Sequence, residues 1–414
     1  MPVQTSRRPS SMEPGAPGRV PPTIPPRPDP GGRGPGGRGP GGRGPGGGKK
    51  RTKRKDPLWA RLTLIFGAVL MLTSGTAIVG AKALIGEATS TIDRGNLLGV
   101  AGKTEAEGGK NLEGPIDMLL LGVDARERWA VDDARSDTII ILHIPASHDQ
   151  AYLISIPRDT EAHIPAFEKS GYRGGVDKIN AAFFFGAQNG GGWEGGAQLM
   201  ANTIKQMTGI SFDGAAIINF GGFKHVVNAL GTVRICVSHE VTSYHMKLVD
   251  GKPMWNADAK KTGKAMKPVV YKKGCQEMAG WQALDFARQR YGLPNSDYDR
   301  QQNQQQLIKA MAKKATEGGT LTNPIKLNEL IKAAGKAFIL DTGGVPIEDF
   351  LFTLKGVTGN ELVTLRTNGG TYSPNSDGSR EALNELSMQM FKAVKNDALA
   401  DFVVANPEVL STRK

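Results

Sequence analysis

The chain has 414 residues and a formal net charge of +12, a length that suits one large or two ordinary domains. The positive charge is concentrated at the start, because residues 1–56 contain 13 Lys/Arg and three Asp/Glu and leave a net charge of only +2 for the other 358 residues. The basic composition therefore describes the N-terminal segment, and it does not indicate that the folded part binds nucleic acid.

Residues 1–56 are predicted to form a disordered basic tail. They contain the sequence GGRGP three times in succession from Gly31 to Pro45 and show no apolar periodicity. Pro, Gly and Arg at this density bury too little apolar surface to offset the entropy that ordering removes. Arg-Gly repeats can contact RNA or acidic surfaces, and a solvated arm along anionic lipid is the simpler interpretation here.

A membrane span is predicted directly after this tail. Residues 62–81, LTLIFGAVLMLTSGTAIVGA, form an uncharged run of 20 residues, and the preceding KKRTKRK at 49–55 carries six positive charges. A helix of this length matches a hydrocarbon core of ~30 Å, and the positive-inside rule places the N-terminus in the cytosol. We therefore expect a transmembrane helix within 57–85 and a single-pass protein of the cell membrane whose remaining residues are extracytoplasmic.

The residues beyond the span predict an α/β fold, with a central mixed β-sheet flanked by helices in an α-β-α sandwich. After a polar stalk at 86–114, short apolar runs at 116–123, 137–144 and 151–156 are typical of buried strands. Further helices are expected at 178–187, 196–208, 222–230, 299–315, 324–337 and 379–395, and further strands at 214–220 and 232–237. The principal domain then covers 115–315, with a lysine-rich surface insertion at 243–273, and residues 316–414 form a helical or mixed extension that packs on it.

Cys236 and Cys275 are the two cysteines of the chain. In an extracytoplasmic compartment they are predicted to form a disulfide. The bridge would close a loop of about 40 residues, which the chain-entropy model values at roughly 4 kcal/mol. Two free thiols are the alternative.

Charged residues follow or open the first three predicted strands at one edge of the sheet. If neighbouring strands pair, the turns bring together Asp124, Arg126, Arg135, Asp137, Arg158 and Asp159. Two carboxylates that face arginines can hold a hard cation and a phosphate side by side. A set of loop salt bridges is the alternative interpretation.

A second arginine-rich segment, ARQRYGLPNSDYDRQQNQQQ at 287–306, points to the same chemistry. An extended backbone would place Arg288 and Arg290 on one face. On the following helix, Arg300 and Gln304 continue into an apolar stripe and are therefore expected to face inward, where a buried arginine needs an anionic partner. The other glutamines and Asn303 are predicted to be solvated helix surface. Converging arginines favour a diphosphate over a single carboxylate.

Two segments are unusually rich in large apolar residues, FFFG at 183–186 and AAIINFGGFKHVV at 215–227. Ordinary core is one interpretation. The other is a groove for a long acyl or isoprenoid chain, for which the candidate residues are Phe183, Phe184, Ile218, Phe220 and Phe223.

The motifs LLLGVDAR, ARSDTIIILHI, LISIPRDT, DKINAAF, GWQALDFARQR and SDYDRQQNQQQ together resemble the LytR-CpsA-Psr enzymes of Gram-positive cell envelopes. The resemblance covers roughly residues 115–312, which would make 115–315 the catalytic domain. It implies that a glycopolymer phosphate, such as teichoic acid, passes from a polyprenyl-pyrophosphate carrier to peptidoglycan and forms a phosphodiester. It also implies a cofactor, Mg²⁺ or Mn²⁺.

Individual roles carried over from the resemblance are as follows. Asp124 and Asp137 would be the metal ligands, and Asp297 would assist the acceptor hydroxyl. The diphosphate clamp would consist of Arg135, Arg158, Lys178, Arg288, Arg290, Arg300 and Gln304. The chain departs from the pattern at Asn303, where the family often has arginine, and at the insertion 243–273.

Three other functions are compatible with parts of the sequence. A hydrolase would use the same clamp with water as the acceptor. A non-catalytic protein that binds lipid-linked glycan would keep the lipid affinity without the chemistry. A transcription regulator is disfavoured, because no helix-turn-helix pattern occurs in the tail and a membrane span would separate it from the domain.

Overall fold

The computed structural model describes residues 92–411 apart from 111, 124–130, 321–322, 336–337, 348, 350–352 and 354–360, with the backbone alone at 132, 220–222, 324 and 334. The predicted tail, the predicted span at 62–81, Asp124 and Arg126 lie outside the described residues. Within the described part of the chain, no helix is both long enough and apolar enough to cross a membrane.

A seven-stranded mixed sheet forms the centre of the fold. Its strand order is β1-β13-β7-β2-β3-β4-β14. The strands are β1 (Asp93–Arg94), β2 (Ile116–Val123), β3 (Ser136–Ile144), β4 (Ala151–Ser155), β7 (Gly214–Asn219), β13 (Phe338–Asp341) and β14 (Leu362–Leu365). The three apolar runs predicted as strands are therefore confirmed, and so is the predicted mixed sheet.

Strand direction decides which residues share an edge of this sheet. β2 pairs antiparallel with β3, β3 pairs antiparallel with β4, and β7 and β14 run parallel to β2 and β4 respectively. The ends of β2, β4, β7 and β14 and the start of β3 consequently lie at one edge, which we call the upper edge. The predicted convergence of the start of β3 and the segment after β4 at a single edge is confirmed for the described residues.

Helices cover both faces of the sheet, as an α-β-α sandwich requires. α1 (Ala181–Ala187) and α2 (Gly192–Thr208) pack on one face together with α8 (Glu385–Lys395). The long α6 (Asp297–Glu317) lies over the other face against β4 and β14. Side chains alternate across β2. Leu119 and Leu121 therefore enter the hydrophobic core on one face of the sheet, and Ile116 and Met118 enter a second core on the other face.

A third core lies beside the sheet under a smaller, separate group of strands. β8 (Val233–Val237) pairs with β12 (Gly274–Met278), and β9 (Val241–Val249) is flanked by β10 (Lys252–Trp255) and β11 (Met266–Tyr271). These strands pack with α3 (Phe220–Ala229) and α5 (Gly280–Arg288), and the short α4 (Asn256–Lys261) joins β10 to β11. The lysine-rich insertion is therefore a small folded sheet rather than an irregular excursion.

The predicted disulfide is confirmed. Cys236 and Cys275 are directly opposite each other in the β8–β12 pair and are bonded to each other. Because the bridge joins the strands on either side of residues 241–273, it closes the base of the insertion.

Other elements differ in their bounds from the sequence-based expectations. The predicted helix at 178–187 begins only at Ala181, because residues 175–178 form β6 (Gly175–Lys178), which pairs with β5 (Glu161–Ile164). The predicted helix at 379–395 begins at Glu385, where the side chain of Asn384 accepts a hydrogen bond from Ser387 N. The remaining helices are α7 (Pro324–Gly335) and α9 (Leu399–Ala405).

Part of the predicted stalk at 86–114 belongs to the fold. Leu97, Leu98 and Ala101 are buried in the core against α2. Lys103 donates to Asp213 at 2.6 Å and lies 3.1 Å from Asp117. Burial lowers the pKa of this ammonium, but the two carboxylates outweigh burial and leave it raised. This buried ion cluster ties the segment to the lower edge of the sheet, opposite the charged upper edge.

Candidate functional site

Arg158 is the centre of the charged cluster at the upper edge. It follows β4, and its Nη1 donates to Asp137 Oδ1, at the start of β3, at 2.8 Å. Its Nε lies 3.8 Å from Asp159 and 3.7 Å from Asp297. Burial lowers the pKa of the guanidinium, and the three carboxylates raise it above its ordinary value. The strand order has thus produced a partly buried arginine within three carboxylates.

Arg300 reaches the same place from helix α6. The residue is only 6% exposed, which confirms that it faces inward. Its Nη2 donates to the backbone oxygen of Asp137 at 2.9 Å and lies 2.6 Å from Asp297 Oδ1. Burial lowers the pKa of this guanidinium and Arg158 and Arg290 act in the same direction, while Asp297 and Asp137 raise it. Two guanidinium groups therefore approach one carboxylate, a crowded arrangement that an anion would relieve.

Asp297 is placed by a strained turn. It is the first residue of α6, and Ser296 before it has φ of 47° and ψ of −105°, a conformation that non-glycine residues rarely adopt. Asp299 accepts a hydrogen bond from Asn295 N at 2.9 Å and closes the turn. Strain of this kind often accompanies functional sites.

Lys178 and Arg135 flank this centre. Lys178 Nζ lies 2.9 Å from Asp159 Oδ1, and the guanidinium of Arg135 lies 5.0 Å from the ring centroid of Phe184. The structure thus places Lys178 in the cluster of Arg158 and places Arg135 on an aromatic ring near the start of β3.

Arg288 and Arg290 do not share an extended segment, and that prediction is wrong. Arg288 is the last residue of α5, and its guanidinium lies 5.1 Å from the ring centroid of Trp255. Arg290 lies 4.7 Å from the ring centroid of Tyr291 and donates to its hydroxyl at 2.7 Å. Arg290 nevertheless lowers the pKa of Arg300, so its charge acts at the centre of the site.

Most of the glutamine run of α6 is buried, and the prediction of a solvated surface is wrong for Gln301, Asn303 and Gln305. Gln305 is 2% exposed, and its amide nitrogen donates to Leu153 O, Ser155 Oγ and Leu365 O at 3.2, 2.9 and 2.8 Å. Gln301 and Asn303 are buried as well. The polar stripe looks solvated in sequence, but it packs on the polar backbone at the ends of β4 and β14.

Several buried polar atoms of the site make no hydrogen bond with any residue that the structure describes. They are Thr138 Oγ1, Arg158 Nε, Asp297 Oδ1, Arg300 Nε and Gln304 Oε1. Buried polar groups are normally satisfied. These donors and acceptors lie at one edge of the sheet and lack hydrogen-bond partners. They are suited to bind a polar ligand with several oxygens.

An apolar groove opens from this cluster between the sheet and helices α3, α5 and α6. It encloses about 500 Å³ including its open side and is lined by Leu120, Gly122, Thr138, Ile140, Ile218, Phe223, Leu284, Ala287, Arg288, Gln304, Leu307 and Ile308. A Cβ at position 122 would lie 2.7 Å from Thr138 Cβ, so glycine permits the close approach of β2 and β3 under the groove floor.

Only some of the residues predicted to line a lipid groove lie in the groove that the structure shows. Ile218 and Phe223 line it. Phe183 does not, because it is fully buried in the core on the other face of the sheet. Phe184 stacks edge-on with Phe185 and lies under Arg135, and the side chain of Phe220 lies outside the described residues. For Phe183, the ordinary-core interpretation is correct.

Sequence reasoning missed a buried support from the C-terminal extension. Tyr298, next to Asp297, donates to the carboxylate of Glu381, which also accepts from Asn368 Nδ2 at 3.0 Å. The backbone nitrogen of Glu381 donates to Asp159 O at 2.9 Å. Glu381 thus holds both the residue that follows Arg158 and the residue that follows Asp297, although no motif in the last hundred residues marks it.

The described carboxylates suit a divalent metal only in part. The side chain of Asp137 is partly exposed at the upper edge, and Asp297 Oδ1 makes no hydrogen bond with a described residue. Oxygen donors of this type are the ligands of Mg²⁺. However, no group of three or more His, Cys, Asp or Glu with metal-binding geometry occurs among the described residues, and the other predicted ligand, Asp124, lies outside them.

Comparison with protein families gives one match over most of the chain. The model of the LytR_cpsA_psr family matches residues 87–396, which includes the sheet, the arginine cluster and the C-terminal residues Asn368 and Glu381.

Two relatives show the extent of the sequence similarity. "Probable cell wall biosynthesis protein LcpB" of Corynebacterium glutamicum is 30% identical over 239 residues, 55% of this chain and 48% of the relative, so the match spans about half of that protein. "Polyisoprenyl-teichoic acid--peptidoglycan teichoic acid transferase TagU" of Enterococcus faecalis is 28% identical over 260 residues, 63% of this chain and 73% of the relative.

Among solved structures, the crystal structure of protein gbs0355 from Streptococcus agalactiae is similar to this one. The two share 21% sequence identity with a TM-score of 0.53, and the match covers 72% of this chain and 91% of that chain. At this identity the likeness supports the fold alone.

Proposed function

The chain belongs to the LytR_cpsA_psr family, and from this premise we propose that it transfers a glycopolymer phosphate from a polyprenyl-pyrophosphate carrier to peptidoglycan. The observation that carries the proposal is the pairing of Arg158 and Arg300 around Asp297 and Asp137, directly beside an apolar groove. A lipid diphosphate has the two parts that this arrangement accommodates, an anionic head and an apolar tail.

The arginines would bind the diphosphate head. Arg158 and Arg300 have buried Nε atoms that make no hydrogen bond with a described residue, and Lys178 and Arg290 add charge at the margin. Fixed positive charge in a partly buried site stabilises the charge that develops on a leaving phosphate, and it needs little reorganisation during the reaction. Positioning and electrostatics supply most of the catalysis in phosphoryl transfer.

Asp297 is the candidate base. The acceptor hydroxyl oxygen of peptidoglycan would attack the phosphorus next to the glycan, and its proton would pass to the Asp297 carboxylate. The bond between that phosphorus and the bridging oxygen breaks, and polyprenyl phosphate leaves with the electron pair. The products are a glycan–peptidoglycan phosphodiester and the lipid phosphate.

A divalent cation would be held by Asp137, together with Asp124 outside the described residues. Mg²⁺ or Mn²⁺ in that position would supply a further positive charge to offset the phosphate oxygens. We also propose that the protein is anchored in the cell membrane by residues 62–81 with the site outside the cell, since the donor lipid and peptidoglycan meet there.

A reconstituted transfer reaction tests the function. The full chain in liposomes is given a synthetic polyprenyl-pyrophosphate glycan, peptidoglycan fragments and Mg²⁺, and mass spectrometry measures the phosphodiester adduct. Wild type is expected to form the adduct, and Arg158→Ala to form it at least about 100-fold more slowly, because it loses the central donor of the clamp. Removing Mg²⁺ with a chelator is expected to reduce the rate as well.

The control is Arg234→Ala, which removes an exposed arginine of β8 and should leave the rate unchanged. Release of glycan phosphate without adduct, in wild type only, would identify the protein as a hydrolase instead. Bound lipid with no cleavage in any condition would contradict an enzymatic function.

A further inference from the structure

The insertion has a positive net charge that the rest of the folded part lacks. Residues 241–273 contain eight lysines and two aspartates, a net charge of +6, whereas residues 57–240 and 274–414 together carry −4. We call residues 241–273 the basic sheet. Because the rest of the domain is slightly acidic, its net positive charge is concentrated in this small sheet.

Large apolar side chains are exposed on the basic sheet as well. Trp255 is 43% exposed and Tyr244 58% exposed, and Met266 and Val270 are exposed on β11. Strands β9 and β11 instead bury Val241 and Tyr271 in the core with α5. One side of the basic sheet is therefore fixed to the domain, and both lysines and apolar side chains are exposed where the sheet meets solvent.

The basic sheet lies at the side of the apolar groove. The guanidinium of Arg288 is 5.1 Å from the ring centroid of Trp255, and Arg288 is also a lining residue of the groove. Tyr244 is held next to this point, because its backbone nitrogen donates to Gln289 Oε1 at 3.0 Å. A ligand that enters the groove beside Arg288 passes the exposed aromatic residues of the basic sheet.

We propose that the basic sheet is a membrane-contact surface that binds the headgroups of anionic lipids. Each lysine near an anionic bilayer contributes about 1 kcal/mol, and tryptophan and tyrosine are favoured at the interface. A soluble anionic polymer would bind the lysines, but it would make no favourable contact with the exposed apolar side chains of Met266 and Val270. The contact itself does not depend on the proposed reaction, whereas a role in presenting lipid to the groove rests on it.

Hydrogen exchange of the full chain in nanodiscs tests this contact. The discs contain phosphatidylcholine alone or mixed with phosphatidylglycerol, and exchange is followed by mass spectrometry over residues 241–273. The amides of β10, α4 and β11 are expected to exchange about tenfold more slowly in the anionic discs, and the difference should vanish at high salt.

The variant Lys252→Glu/Lys260→Glu/Lys267→Glu reverses one exposed charge on each of β10, α4 and β11 and should abolish the difference. Its matched control, Lys313→Glu/Lys326→Glu/Lys332→Glu, changes the same net charge on α6 and α7 and should retain it. Unaltered exchange in β2 and β3 shows that both variants are folded.

Two results would overturn the proposal. Equal exchange of the basic sheet in neutral and anionic discs would rule out binding of anionic headgroups. Slower exchange with soluble polyphosphate in detergent, but not in either disc, would assign the surface to an anionic polymer. Neither result bears on the transferase reaction, because the rate of adduct formation is measured separately.

Discussion

At the scale of single residues, the site depends on arginines that are stabilised by the carboxylates around them. Arg300 is buried next to Asp297 and bonded to the backbone of Asp137. Burying a charge is costly unless it is paired, and Arg158 brings a second positive charge to the same carboxylates. The excess of donors at this point is the physical reason to expect a diphosphate there.

Glu381 is expected to make stability depend on pH. Burial raises the pKa of its carboxyl above 4.5, despite the hydrogen bonds from Tyr298 and Asn368 that lower it. The folded state therefore holds this proton more tightly than the unfolded state, and the free energy of unfolding falls as pH rises above about 4.5. The glutamine side chain in Glu381→Gln cannot ionise, so the free energy of unfolding of this variant should lack the pH dependence that Glu381 contributes.

Urea unfolding of the full chain in detergent, followed by near-UV circular dichroism, measures the effect. The wild-type free energy minus that of Glu381→Gln is expected to decrease by about 1 kcal/mol or more between pH of about 4 and about 8. Glu385→Gln, at the exposed start of α8, is the control. A difference that rises with pH would contradict the raised pKa.

At the scale of elements, α6 connects the reaction centre to the sheet. Its first turn carries Asp297 and Arg300, its middle turns bond to β4 and β14 through Gln305, and Leu307 and Ile308 line the groove. One helix therefore sets the distance between the proposed diphosphate site and the proposed lipid groove.

Gln305→Leu is expected to destabilise the fold by about 2–3 kcal/mol. The substitution keeps the volume similar but leaves Leu153 O and Leu365 O without this donor, and unsatisfied buried acceptors cost about 1–3 kcal/mol each. Thermal and urea unfolding of the full chain measure it. Gln306→Leu, at a half-buried neighbouring position, should change stability by less than about 0.5 kcal/mol; equal effects would show that the Gln305 contacts are not specific.

At the scale of the whole molecule, the sheet separates two charged edges. The upper edge holds the arginine cluster, and the lower edge holds Lys103 with Asp117 and Asp213. The ammonium and both carboxylates of the lower cluster have partners within the fold, and only Nε2 of His143, which pairs with Asp117, lacks a hydrogen bond there, whereas Arg158, Asp297 and Arg300 of the upper cluster each keep a polar atom without one among the described residues. This contrast distinguishes an ion cluster that supports the fold from one prepared for a ligand.

The disulfide is expected to stabilise the domain by about 2–4 kcal/mol. Cys236 and Cys275 are 39 positions apart, and closing a loop of this length reduces the entropy of the unfolded chain. Reductant should lower the free energy of unfolding of the full chain by this amount. The variant Cys236→Ala/Cys275→Ala should start at the lower value and show no response to reductant; an equal response in both proteins would mean that reductant acts elsewhere.

The sequence by itself determined four strands of the central sheet (β2, β3, β4 and β7), the convergence of their charged ends at one edge, the disulfide and the inward direction of Arg300. Apolar runs bounded by turn residues report burial, and a helical stripe reports the side that faces the core. Those properties are local, or follow from the pairing of neighbouring strands.

Only the tertiary structure decided the burial of the glutamine run, the separate directions of Arg288 and Arg290, and the support from Glu381. Gln305 is polar, so the sequence predicts that it is solvated, and only the backbone of β4 and β14 provides the partners that make its burial favourable. Glu381 lies 83 positions from Tyr298. A contact at that separation leaves no periodic pattern in the chain, because it depends on how distant elements pack.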